Sequence, residues 1–213
     1  MTQHSRLAPL TGAVYAVLTL VAFATASGAP SSSASGAKVI SFYEAHRSSA
    51  RASDLLWMLG FAFFLLFAGT LRSHLRGSAS GDALGAVVLA GASVFAAGAI
   101  IYFNFDFSLA VVPQHLAPAA AQTLNVLALN MALAPSAGGF VFGIAAGLAI
   151  VRGDTLPTWL GWVVIVIGVI AVSPAVVVSL PLFALWAAVV GVLIWRRTPS
   201  VAVYAEPAAA PPV

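Results

Sequence analysis

Cysteine is absent from this chain of 213 residues, and charge is scarce: Asp, Glu, Lys and Arg make up 7% of it, against 61% apolar residues. Without cysteine there is no disulfide, no thiolate metal site and no cysteine nucleophile. A soluble domain carries about 25% charged residues, so no water-facing shell of ordinary composition can be built around a core this large. Lipid must cover the apolar exterior instead. The nine basic residues exceed the six acidic ones, but they form no single stripe, which argues against a nucleic-acid partner. Catalytic signatures are missing too. There is no H-E-x-x-H, no G-x-S-x-G and no Walker sequence, so no catalytic residue, cofactor or metal is indicated.

What is present is a series of uncharged runs. They lie at 7–26, 55–71, 83–105, 124–151 and 159–195. A helix needs about 20 apolar residues to cross the hydrocarbon layer, so the last run is too long for one span. Pro174 and Pro181 divide it into 159–174 and 178–195, because proline breaks the intrahelical hydrogen-bond ladder. The fold class predicted is all-α: a polytopic transmembrane bundle of six spans in one domain, 1–197, with an outer loop over 27–54. The Ala/Pro-rich tail, 198–213, reads as disordered.

Arg and Lys set the orientation, since cytoplasmic loops are enriched in them. With both termini inside, the inner segments hold Arg6, Arg72, Arg76, Arg152, Arg196 and Arg197, and the outer ones Lys38, Arg47 and Arg51. The location expected is the plasma membrane, and eight arginines to one lysine with abundant Ala, Gly and Val point to a GC-rich bacterial genome. Ala24-Thr25-Ala26 resembles a signal-peptidase site. The first apolar run is longer than a usual signal core, which favours a retained span. In the outer loop, 31–36 reads as a flexible linker. Ser41 and Glu44 stand in capping-box spacing. A short surface helix with Val39, Phe42 or Tyr43 against lipid is one reading; an irregular polar loop is the other.

No Asp, Glu, Lys, Arg or His falls in the middle of a predicted span, which weighs against a secondary active transporter. Polar residues gather instead near the outer surface. Asp106, Asn104, His115 and Asn125, with Glu44 and Arg47 from the first outer loop, form the candidate ligand-binding set. Asp106 sits between Phe105 and Phe107, where a carboxylate is costly unless paired, and Arg47 or Arg51 is the expected partner. The competing reading makes all of these interfacial residues hydrogen-bonded to one another and to water. His46, His115 and Asp106 have no short-range spacing that would mark a metal site. Gly139, Gly143 and Gly147 form a doubled small-xxx-small pattern, which places their helix at the centre of the bundle or of a dimer. Pro135 is a break or kink just before it.

Several segments together resemble a family of uncharacterised actinobacterial integral membrane proteins. They are Phe42-Tyr43-Glu44-Ala45-His46-Arg47, Leu71-Arg72-Ser73-His74-Leu75-Arg76, Ala119-Ala120-Ala121-Gln122-Thr123-Leu124-Asn125 and Trp159-Leu160-Gly161-Trp162. The resemblance implies a six-span plasma-membrane protein and brings no activity with it. The leading functional expectation is a non-enzymatic protein acting through packing or interaction in the membrane. Its partners would be the bilayer itself and a second copy or another membrane protein. A small-solute or lipid transporter or channel is the first alternative, and a membrane-embedded enzyme with an outward-facing polar site the second.

Overall fold

The computed structural model describes residues 7–77, 79–131, 133–173 and 176–197. The tail after 197, Ser78 and Pro174 lie outside the described residues. All regular structure among the described residues is helical. In chain order the α-helices are α1 (Thr11–Thr25), α2 (Gly36–Ala45), α3 (Arg47–Leu75), α4 (Ala79–Val111), α5 (Pro118–Met131), α6 (Ala134–Val151), α7 (Thr158–Ala171) and α8 (Val176–Arg197). Short 3-10 turns, Ala8–Leu10 and Pro113–His115, precede α1 and α5.

Five stretches are long and apolar enough to cross a membrane: Ala8–Thr25, Arg47–Leu75, Ser80–Val111, Pro118–Val151 and Val176–Arg197. The sixth apolar helix, α7, has 14 residues, about 21 Å at 1.5 Å per residue, against a hydrocarbon layer of about 30 Å. Pro118–Val151 is two helices, as Pro135 suggested. Leu133 caps α6, and Pro135 occupies its first turn, where a missing N–H costs nothing. The 159–195 run also divides, but earlier than expected. Pro181 lies inside α8, near enough to its start that few ladder bonds are lost.

Neighbouring helices run antiparallel, and glycine sets how closely they meet. A Cβ on Gly91 of α4 would stand 2.9 Å from Phe142 Cα of α6. On the other side of α6, one on Gly143 would stand 2.7 Å from Val164 O and 2.8 Å from Gly168 Cα of α7, and one on Gly147 would stand 2.6 Å from Gly161 O. The Gly143/Gly147 face is therefore filled by α7 of the same chain, Gly139 lies between Phe95 of α4 and Ala171 of α7, and α6 sits between α4 and α7. In lipid, where burial of apolar surface gives no drive between helices, such backbone approach supplies the van der Waals contact that holds them.

The core is a cluster of rings. Phe64 of α3 lies 5.1 Å from Tyr15 of α1, 5.4 Å from Phe95 of α4 and 5.1 Å from Phe142 of α6. Phe183 of α8 closes the cluster against Phe95 and Phe142. Trp186 packs edge-on to Phe67 and donates its indole N–H to Leu160 O at 3.0 Å. Outside, Val163, Val166 and Val169 of α7 and Leu55, Leu59 and Leu66 of α3 are exposed, the apolar exterior that a lipid-covered protein needs.

The surface-helix reading of the outer loop holds in part. α2 is a helix, but its cap is Ser35, whose hydroxyl accepts from Lys38 N at 3.4 Å. Ser41 instead donates back to Lys38 O at 3.0 Å, and Glu44 is exposed, so no capping box forms there. Val39 and Tyr43 face protein, not lipid. They pack with Leu109, Ala110 and Ala121 into a second apolar cluster, which joins α2 to α5 and to the far end of α4.

Candidate functional site

A difference in helix length opens a space at one end of the bundle. α1 stops at Thr25 and α8 starts at Val176, while α3 begins at Arg47 and α4 runs on to Val111. The long pair stands beyond the short helices, with α2 and α5 packed against it as a cap. Between the projecting walls and the ends of α1 and α8 lies a cavity of about 350 Å3.

Two helix faces build its walls. On α3, Ala50, Ser53, Asp54 and Trp57 line the cavity, and on α4, Ala99, Tyr102, Phe103 and Asp106 do so. Each set has i, i+3, i+4, i+7 spacing, one face of a helix. Trp57 and Phe103 stack across the gap at 4.7 Å with their planes 8° apart. Tyr43 reaches in from α2 and donates its hydroxyl to Asp106 Oδ1 at 2.9 Å. Burial first, and then the nearby Asp106 charge and hydrogen bond, push the Tyr43 hydroxyl well above the ordinary tyrosine range, so it remains a donor. Asp54 is 5% exposed, and its Oδ2 has no hydrogen-bond partner. Beside it Ser53 donates to Ala22 O at 2.9 Å, which fixes α3 against the end of α1.

The ion pair expected between Asp106 and Arg47 or Arg51 does not form. The Arg47 guanidinium donates to Val111 O, one of the carbonyls left without an intrahelical partner at the end of α4. The Arg51 guanidinium stands 5.9 Å over the Phe107 ring. Both arginines are thus engaged at the rim. Neither pairs with Asp54 or Asp106 among the described residues.

Of the six candidate binding residues, only Asp106 lines the cavity. Asn125 is 1% exposed, and its side-chain amide donates to Pro30 O at 3.3 Å and Ser31 O at 3.1 Å. These bonds tie the start of the 31–36 segment to α5. Asn104 is exposed beside a separate apolar groove that includes Phe105 and Leu124. Glu44 and His115 are exposed, as is His46, whose ring stacks on Phe42 at 4.5 Å. Among the described residues no group of three or more His, Cys, Asp or Glu is placed to hold a metal ion.

Asp54, Tyr43, Trp57, Tyr102 and Phe103 are cavity residues that sequence reasoning did not select. Asp54 directly precedes the apolar run at 55–71, so run length alone leaves it outside the span. The available signal was the shared spacing of 50, 53, 54, 57 and of 99, 102, 103, 106, each face carrying one acidic and at least one aromatic side chain.

An apolar helical bundle with membrane-length helices and an acidic, aromatic-walled cavity at one end is the class that fold and site define. Comparison with known protein families, curated proteins and solved structures finds no match to this chain.

Proposed function

We propose that the chain is a six-span protein of a bacterial plasma membrane, both termini cytoplasmic, that binds a small ligand in the cavity from the outer side and performs no chemistry on it. The observation that carries this is two acidic side chains, the buried Asp54 and the part-buried Asp106, on facing helices around one cavity. Ionisable groups are expensive at such positions and are kept for a purpose. The aromatic cluster beneath supports binding over passive conduction, since Phe61, Phe64 and Phe95 are fully packed below the cavity. The resemblance of the sequence motifs bears only on the six spans and the plasma membrane, not on the ligand.

The topology draws support from charge. Arg72, Arg76, Arg152, Arg196 and Arg197 fall at the end opposite the cavity, and Lys38, Arg47 and Arg51 at the cavity end. α7 would serve as the short sixth span, with the bilayer thinned or its ends reaching the interface. The first helix would be retained, because Tyr15, Thr19 and Ala22 on it are fully buried in the bundle.

Both parts are testable. In a chain without native cysteine, single cysteines at Ser33 and Ala117 should react with an impermeant maleimide in intact cells, and one at Asp154 should not. Labelling at Asp154 from outside would reverse the orientation. For the ligand, protein isolated in mild detergent is extracted and analysed by mass spectrometry. A small molecule recovered from wild type should be lost from Ala99→Phe, which fills the cavity; equal recovery from both would end the binding reading.

A further inference from the structure

Resting on that binding reading, we infer that the ligand is a hydrophobic organic cation: an amine or quaternary ammonium group carried on an apolar body. Asp54 lines the cavity with a side chain 5% exposed, and its Oδ2 is buried there without a hydrogen-bond partner. An ionised carboxylate in such a place is costly without a counter-charge. Among the described residues no cationic side chain lines the cavity, and Arg47 and Arg51 are held by Val111 O and the Phe107 ring. The missing positive charge is therefore left for the ligand to bring.

The rest of the wall describes the ligand's body. Trp57 and Phe103 lie parallel, with Phe23, Tyr43 and Tyr102 also facing the space. Aromatic faces attract a cation within about 6 Å, most strongly when it is poorly hydrated. They offer nothing to a hard metal ion, which takes six or more oxygen ligands. Pockets for small organic molecules begin at about 300 Å3, so a cavity of about 350 Å3 holds one such molecule. An anion would meet two acidic groups and no cation. A neutral apolar molecule would bring no counter-charge to either acid. Tyr43 already satisfies one oxygen of Asp106, which makes Asp54 the principal counter-ion and Asp106 the second.

The probe is benzyltrimethylammonium, compared with neopentylbenzene, its neutral isostere, and with phenylacetate as anion. Binding to purified full-length protein in detergent is read from saturable quenching of tryptophan fluorescence and from the rise in melting temperature. The cation should bind at least tenfold more tightly than either comparison molecule. Asp54→Asn should weaken it at least tenfold, while Asp154→Asn, at an exposed loop position, should leave it unchanged. Melting of each variant without probe checks its fold; if Asp54→Asn does not fold, charge selectivity of the wild type alone decides. Equal binding of cation and neutral isostere, or preference for the anion, overturns the cationic ligand and leaves the binding reading standing. Failure of all three probes, with a cavity-dependent molecule still recovered by mass spectrometry, overturns the inference alone. Failure together with no recovered molecule overturns both.

Discussion

The two ends of this bundle are made from similar apolar helices and behave as opposites. In the half away from the cavity, Phe64, Phe67, Phe142, Phe183 and Trp186 are at most 3% exposed and touch one another directly. Glycine seams bring α4, α6 and α7 to backbone contact there. At the other end α1 and α8 give out while α3 and α4 continue, and the space is edged by Asp54, Asp106 and two tyrosines. Helix length, more than residue type, makes the difference. A bundle of equal helices would have closed over the same side chains.

If the packed half holds the fold together, its variants must cost most. Phe64→Ala removes a ring in contact with five others. In water-soluble cores such a change costs about 3–5 kcal/mol. Here part of the transfer contribution is lost, because separated helices still lie in hydrocarbon; the cavity and dispersion losses remain. About 2–4 kcal/mol is expected, read from unfolding in detergent. A loss below 1 kcal/mol would remove the contrast between the halves.

Gly143→Leu comes next. The added side chain meets the α7 backbone at Val164 and Gly168, and overpacking of this kind costs roughly 1–3 kcal/mol. Gly168→Leu is a poor control, since Gly168 faces Gly143 across the same contact. Gly69 is the right one. A Cβ there meets nothing within 4 Å, so Gly69→Leu should fall within about 0.5 kcal/mol of wild type. Similar melting temperatures for Gly143→Leu and Gly69→Leu would show that the seam does not set stability.

The packed half was the more legible in sequence, for a physical reason. Run length, proline and glycine spacing act locally, so the apolar runs and the break at Pro135 could be read directly. So could the Gly139/Gly143/Gly147 contact. The cavity end was not legible in the same way. Arg47-Ser48-Ser49-Ala50-Arg51 is polar, so nothing in its hydropathy says that α3 already includes it, and Asp54 falls just before the run at 55–71. Asn125 was grouped with Asp106 because both are polar and near one end. Which of them faces a cavity and which clamps a loop depends on helix rotation and on contacts 94 and 95 residues away along the chain. The Asp106–Arg pairing failed for a related reason. A helix end offers arginine a carbonyl without an intrahelical partner, and Val111 O accepts from Arg47 in place of the carboxylate.

Asn125→Ala distinguishes the clamp from the cavity. It leaves Pro30 O and Ser31 O without their donor and should cost about 1–2 kcal/mol, with cation binding unchanged. A tenfold loss of binding at full stability would move Asn125 into the site after all.

Tyr43→Phe is the smallest change and tests how the cap serves the cavity. The ring is 2% exposed and packs with Val39 and Leu109, so its apolar contacts survive the substitution. Only the hydroxyl is lost, and with it the 2.9 Å bond to Asp106 Oδ1. Because the hydroxyl titrates far above neutrality, raised by burial and by the Asp106 charge, it donates that bond at every physiological pH. A part-buried hydrogen bond to an acidic partner contributes about 1–2 kcal/mol, and that is the loss of stability expected. Binding should respond in the other direction. With one oxygen of Asp106 released, a second acidic group becomes available to the cation, and affinity for benzyltrimethylammonium should hold or rise by up to about threefold, under 1 kcal/mol. Were Tyr43 itself the ligand's main polar contact, Tyr43→Phe would instead weaken binding tenfold or more, and Asp54→Asn would then have little left to remove. Measured side by side, the two variants show whether the acidic pair or the tyrosine hydroxyl holds the ligand, and so whether the cap closes the cavity or takes part in it.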